Sequence, residues 1–512
     1  MTKIQIFFAC ILFFLLSCSQ KNENQTEPIN IVAGSSKITG KIMAPDSLMA
    51  GGVKVSISVL HPITGDYSTY EIPIDYSGRF ALDYDMETSS TIIGLSSSLQ
   101  TNPIYIKTFI NKPTYIEIQY TDRSTIHKID LTPAMPKYDM MQSEQLFRKL
   151  VENKPNDPNW KYPHYYNMRI DDFLESVKKS YNRRLEAVLG NDVALSKEFK
   201  DFLKKDFRMF YYTSGMFDYE SSMKINYLNA TKDTVNLPKI QKIDRSYFRF
   251  LKDFDLNDPQ YLHTFTFPEL QHHILQNEVL GLPPIGDSDI PSWLKKVKGL
   301  LAEQVGFKDG PYYDILAANA YGLQLNEEVK PLNSKQQEAI KNYWGKGEIA
   351  KILSRKNEKV IEEDSKKSPL VVHDIAHVAK EKLMDTILAK YPGKVVFIDF
   401  WATWCGPCLG AMKQFKSIKG DFQGKDVVFV YLTNGSSPKK RWEEVIKGIG
   451  SEHYYLKDDQ WSYLMSEFGF EYIPSYLLYS KEGILANKFT AFPGNEKVKN
   501  LIEDLLTNKE GK

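Results

Sequence analysis

VVFIDFWATWCGPCL, from Val395 to Leu409, changes character twice within fifteen residues. Val395 to Phe400 is a short apolar run rich in β-branched residues and reads as a fully buried strand. Gly406-Pro407 then breaks the pattern where a helix is due to start, and two thiols flank the break. A Cys-x-x-Cys pair at a helix start places Cys405 near unpaired backbone N–H groups and the positive end of the helix dipole, which favours thiolate over thiol. Cys408 sits one turn in, where it can reach back to resolve a mixed disulfide.

Three readings compete for such a pair: a redox dithiol, half of a zinc site, or inert buried cysteines. Zinc takes four ligands in a structural site. The chain has four cysteines, Cys10, Cys18, Cys405 and Cys408, and the first two lie in or at the end of a targeting segment. No His is close in sequence to the pair. The redox reading therefore leads, and the count leaves no structural disulfide framework.

The block Asp399-Phe400-Trp401-Ala402-Thr403-Trp404-Cys405-Gly406-Pro407-Cys408 resembles the thioredoxin active site, and the C-terminal third of the chain resembles the TlpA/ResA-like thiol-disulfide oxidoreductases. That resemblance implies several roles. Asp399 matches the buried acid beneath the second cysteine; burial raises such a group, so that it can accept or relay the proton of Cys408. An acid turned to solvent is the alternative. Ile473-Pro474 matches the cis-proline facing the dithiol, against the alternative of a trans proline opening a strand. Trp404, Gly406, Pro407, Ile473 and Pro474 then line a substrate groove, with Cys405–Cys408 as the redox disulfide. A peroxiredoxin reading fails because Ala402 stands three residues before Cys405 where those enzymes need Thr.

The chain also departs from the family. Lys413 stands where thioredoxins commonly have a helix-kinking proline, so a straighter helix is expected. Pro474 lies 66 residues after Cys408, leaving room for an extra element within Gly435 to Asp459. Gly406-Pro407 leans toward a reductant. His373-Asp374-Ile375-Ala376-His377 superficially resembles a zinc-protease helix but lacks an evident third ligand, and His263, His272 and His273 read as surface or core histidines. No metal site and no dissociable cofactor are implied.

At 512 residues the chain needs two to four domains. Apolar residues at 42%, charged residues at 25% and a formal charge of +1 give no case for nucleic acid. Short basic groups such as Lys178-Lys179, Arg183-Arg184 and Lys439-Lys440-Arg441 read as solvated helix faces.

Residues 1–17 carry Lys3 and an apolar run, Ile6 to Leu16, that is too short to span a membrane and reads as a signal sequence. Leu15-Leu16-Ser17-Cys18 resembles the bacterial lipoprotein cleavage box, which makes Cys18 the lipidated first residue of the mature protein; an ordinary secretory signal or a retained anchor is the alternative. Acyl chains then hold it to a membrane, each buried methylene adding ~0.8 kcal/mol. Residues 18–30 are polar and read as a flexible tether.

From 31 to 135 short alternating runs (Ile38–Met43, Val53–Leu60, Thr69–Ile74, Arg79–Leu82, Ile104–Phe109, Thr114–Tyr120) alternate with turn signals, as in a β-sandwich. This resembles the β-rich domain fused to thioredoxin modules in Bacteroidetes lipoproteins. From 136 to 367 the period turns helical, for example at Ile170–Leu189, Leu195–Tyr212, Pro268–Leu280, Ile290–Val305 and Ser334–Ile361. Tyr247, Phe248 and Phe250, with Phe207 to Tyr212, read as core bulk of an all-α domain. Glu362–Pro369 reads as a charged linker. Residues 368–512 alternate strands with helices, an α/β layered sheet.

The expected function is disulfide reduction in the cell envelope, with protein disulfide clients, a membrane electron donor and a lipid anchor as partners. The alternatives are a ligand-binding or assembly lipoprotein with an accessory dithiol, and a disulfide isomerase or oxidant.

Overall fold

The computed structural model describes residues 28–50, 52–152, 164–233, 236, 238–365 and 367–507. The expected signal sequence, Cys18 and the tether as far as residue 27 lie outside the described residues.

Eight strands come first: β1 (Ile31–Met43), β2 (Lys54–His61), β3 (Asp66–Pro73), β4 (Arg79–Thr88), β5 (Ser90–Ser97), β6 (Gln100–Phe109), β7 (Thr114–Asp122) and β8 (Thr125–Thr132), with a single helical turn, α1 (Asp46–Met49), after β1. They form two four-stranded sheets, ordered β4-β1-β7-β8 and β3-β2-β5-β6. Ile38, Ile42, Ile116 and Ile118 of one sheet meet Val55, Ile57, Ile93 and Ile104 of the other in one apolar core. Sequence periodicity identifies six of these strands and misses β5 and β8. β5 lacks alternation because both its faces are covered. Ile93 points into the core between the sheets, and Ile92 points into the core of the helices that follow.

The helical region comprises α2 (Lys137–Glu152), α3 (Ile170–Leu189), α4 (Lys197–Met216), α5 (Tyr219–Thr231), α6 (Phe267–Gln276), α7 (Ile290–Val305), α8 (Pro311–Leu323), α9 (Ser334–Trp344) and α10 (Glu348–Ser365). Tyr247, Phe248 and Phe250 are core residues as expected from their bulk, but they sit on a 3-10 stretch, Arg245–Asp253. Ser334–Ile361 is two helices rather than one. Gly345 takes φ +59, a left-handed backbone that ends α9. The expected linker is also shorter than Glu362–Pro369, because α10 continues to Ser365.

The C-terminal part contains β9 (Leu370–His373), α11 (Leu383–Leu388), β10 (Val395–Phe400), α12 (Gly406–Asp421), β11 (Val427–Asn434), α13 (Lys439–Ile449), β12 (Ser451–Leu456), α14 (Asp458–Glu467), β13 (Ser475–Tyr479), β14 (Leu485–Phe489) and α15 (Asn495–Thr507). The sheet order is β14-β13-β10-β11-β12-β9. β10, the quoted strand, is central, parallel to β11 and antiparallel to β13, with all six residues buried. α12, α13 and α15 cover the face reached by Val395 and Phe397; α11 and α14 cover the face reached by Val396, Ile398 and Phe400. The stretch with room for an extra element holds α13 and β12. β12 escaped the sequence reading because Ser451-Glu452-His453-Tyr454-Tyr455-Leu456 is polar in composition, yet it pairs with β11 and β9.

Candidate functional site

β10 delivers the chain to the carboxyl edge of the sheet, where Trp401 N–H donates to the Leu432 carbonyl at 3.0 Å and ends the strand. The loop that follows is held from the side: Thr403 N–H donates to Ser437 Oγ at 3.0 Å, and Ser437 Oγ meets Thr433 Oγ1 at 2.8 Å. Cys405 is the N-cap of α12, and Pro407 occupies its first turn, where a missing N–H leaves nothing unpaired. Cys405 Sγ accepts the backbone N–H of Cys408 at 3.2 Å, so the sulfur does here what a Ser or Asp oxygen does at other helix starts. Cys405 and Cys408 are joined in a disulfide with their Cα atoms 5.2 Å apart. Both are buried, whereas Trp404 is 64% exposed and Gly406 and Pro407 are exposed.

The Ile473-Pro474 peptide bond is cis. Pro474 is buried, and Ile473 packs against the apolar cluster that contains both cysteines. Tyr472, 59% exposed, adds an aromatic next to this turn that sequence reasoning did not single out.

Asp399 lies on the α12 side of the sheet, with Tyr476 of β13 and Tyr431 of β11 as its cross-strand partners. It is buried and its Oδ1 makes no hydrogen bond. Burial holds the carboxyl well above the usual carboxylate range, with Lys419 opposing the shift. Lys419 sits eleven residues after Cys408 on α12, three turns along the same helix face. Its ammonium donates to the Ile449 carbonyl at 2.9 Å and the Tyr431 hydroxyl at 3.3 Å, and lies 5.0 Å from the Tyr431 ring centroid. Burial lowers it to about 7, helped by the like charge of Lys416 and opposed by Asp399. His453, stacked on Tyr431 at 5.0 Å, is likewise pushed down by burial, to about 3. Tyr476, Asp399, Tyr431 and His453 thus form one row across the sheet. The i, i+7, i+11 spacing of Cys408, Phe415 and Lys419 is the signal in the sequence that points to Lys419.

His373 is at the end of β9, paired with Glu452 at 2.5 Å, and His377 lies in the following loop, so the two do not share a helix face. Among the described residues no group of three or more His, Cys, Asp or Glu side chains is arranged to hold a metal ion.

Residues 393–485 match the Thioredoxin-like family model. The C-terminal domain is thioredoxin-like. Thiol-disulfide exchange is the chemistry of this thioredoxin-like domain, and its relatives carry that name. The chain is 28% identical over 118 residues to the thiol-disulfide oxidoreductase ResA of Geobacillus thermodenitrificans, covering 23% of this chain and 67% of that protein. It is 32% identical over 68 residues to a thioredoxin of Coprinus comatus, of which it spans 63%. Among solved structures, a candidate thiol-disulfide oxidoreductase from Bacteroides vulgatus is 30% identical, covering 23% of this chain and 83% of that one, with a TM-score of 0.20. Each of these matches covers less than a quarter of the chain.

Proposed function

We propose that the chain reduces protein disulfides outside the cytoplasm. Cys405 thiolate attacks one sulfur of a client disulfide, forming a mixed disulfide and releasing the client's other sulfur as a thiolate. Cys408, giving its proton to Asp399, then attacks Cys405 Sγ; the Cys405–Cys408 disulfide forms and the client leaves with both sulfurs reduced. Two electrons pass to the client, and a membrane electron donor returns two to the enzyme. Trp404, Gly406, Pro407, Ile473 and Pro474 form the groove that holds the client strand, and acylated Cys18 holds the protein at the membrane. The extracytoplasmic address rests on the signal-like run from Ile6 to Leu16 and the Leu15-Leu16-Ser17-Cys18 box.

The observation that carries this reading is Cys405 capping α12 with its sulfur on the Cys408 N–H, together with a buried carboxyl, Asp399, raised well above the usual carboxylate range and so a stronger base than a solvated one. Equilibrating the dithiol against a glutathione series tests it, each tenfold change in the equilibrium constant being about 30 mV. A reducing potential is expected, with Cys405→Ser inactive in insulin reduction. A strongly oxidising potential assigns the oxidant or isomerase role instead, and a fully active Cys405→Ser excludes the dithiol from catalysis.

A further inference from the structure

Two different kinds of junction hold this chain together. The sheets and the helical region share one apolar core, in which Ile29, Ile63, Ile92 and Tyr105 are packed among the side chains of α3 to α10. The thioredoxin-like domain shares nothing of the sort. Among the described residues its two apolar clusters are built from residues between Ile375 and Leu506, with no apolar side chain of the preceding body in them.

Charge crosses the seam instead. On α12, Lys413 pairs with Asp66 of β3 and Lys416 with Glu363 of α10, the second at 2.5 Å. On α13, Arg441 grips Glu327 with both guanidinium nitrogens, at 2.5 and 2.8 Å, while His272 Nδ1 holds the same carboxylate at 2.8 Å. Lys54 of β2 pairs with Glu496 of α15 at 2.6 Å. Three of these four pairs put the base on the thioredoxin-like domain and the acid on the body. Close packing accompanies them. Gly448 of α13 lies so close to the Glu327 carbonyl oxygen that a β-carbon there would overlap it. Among the described residues the chain passes from α10 of the body to β9 of the domain between Ser365 and Leu370.

We infer that the face formed by α12 and α13 is a releasable docking face, and that the thioredoxin-like domain lifts off the body as a rigid unit about the Ser365–Leu370 connection. Parting the two divides no apolar cluster, although Val329 of the body's core touches α13 beside Gly448. The lysines of three of these pairs are partly exposed, so water solvates their separated charges nearly as well and those pairs hold weakly; Arg441 on Glu327 is the more enclosed grip. Domain interfaces that are neither large nor apolar permit relative motion as the rule. Docking does not cover the dithiol, since Trp404 and Tyr472 are 64% and 59% exposed in the docked arrangement. It sets the direction in which the dithiol points. With the function proposed above, release lets one dithiol address an electron donor and clients that cannot approach from the same side. The inference about docking itself does not depend on that function.

The test uses the full chain with its dithiol oxidised, carrying spin labels at V193C in the body and I484C in the domain, both exposed positions. Pulsed dipolar distances are read at 0.05 M and 1 M salt, where the screening length falls to about 3 Å. One narrow peak is expected at low salt. At 1 M salt it broadens and shifts, because the four connecting residues reach about 14 Å and leave the released domain free to swing. Gly448→Ala is expected to give the broad distribution at both salt concentrations. Alanine favours helix over glycine, so α13 itself keeps its structure while the seam opens; the check is an unchanged rate with a small-molecule disulfide. A wild-type distribution that stays narrow at 1 M salt overturns the inference, whatever Gly448→Ala does. Should Gly448→Ala lose that rate, the wild-type salt series decides alone. Failure here leaves the reduction potential untouched, so the two readings fail separately.

Discussion

A buried carboxyl with an unpartnered oxygen is a group on which solvent, charge and chemistry all act in the open. Asp399 is such a group. Its folded pKa lies above its unfolded value, so whatever stability it adds is present below about pH 4 and is lost as pH rises through the folded pKa. Asp399→Asn is therefore expected to gain on the wild type with increasing pH in chemical denaturation, while slowing release of the mixed disulfide by about 100-fold, the lower range for loss of a proton acceptor. Lys419 has the opposite sign. Its pKa falls from 10.5 to about 7 on folding, so the penalty for its charge grows as pH drops from about 10 to 7 and is constant below. Denaturation of Lys419→Met across that interval is expected to show the variant gaining on the wild type as pH falls, and a flat difference identifies Lys419 as fully solvated.

Elements hold the dithiol loop from its flanks. Ser437, at the turn between β11 and α13, is fully buried and accepts the Thr403 N–H. Ser437→Ala leaves that N–H without a partner, which costs about 1–3 kcal/mol; denaturation of the oxidised protein measures the loss, and faster hydrogen exchange at Thr403 locates it. The strand β10 and the break at Gly406-Pro407 were legible because a continuous apolar run and a Gly-Pro pair each permit few structures. The helix pair α9 and α10 was not, because both glycines between them sit inside an otherwise unbroken helical period. β12 was missed because its polar side chains are satisfied by tertiary partners, as Glu452 is by His373 Nε2 at 2.5 Å and by the Tyr391 hydroxyl at 3.1 Å. At the site, sequence resemblance pointed to Asp399 and Pro474, but Tyr431 and His453 enter it only through strand register, which one chain read alone does not reveal.

Across the whole molecule the charged contacts converge on Asp66. Burial alone would raise its carboxyl, but Lys413 from one side and Lys356 from another hold it down to about 2. A depressed acid contributes stability above its unfolded value of 3.8 that drains away as pH falls toward 2. Asp66→Asn is expected to cost on the order of 1–3 kcal/mol at neutral pH, less than the about 3–5 for breaking a fully buried pair because Lys413 is half in water. The deficit should vanish below about pH 2, and denaturation at pH 7 and pH 2 compares the two. The junction behind Asp66 has another outcome. Because neighbouring residues of β5, Ile92 and Ile93, are claimed by two different cores, no cut near residue 135 yields a clean fragment. Shortened versions of the chain ending there would carry Ile63, Ile92 and Tyr105 as a bare greasy patch prone to clumping, whereas a piece starting near residue 368 would bring its own interior with it.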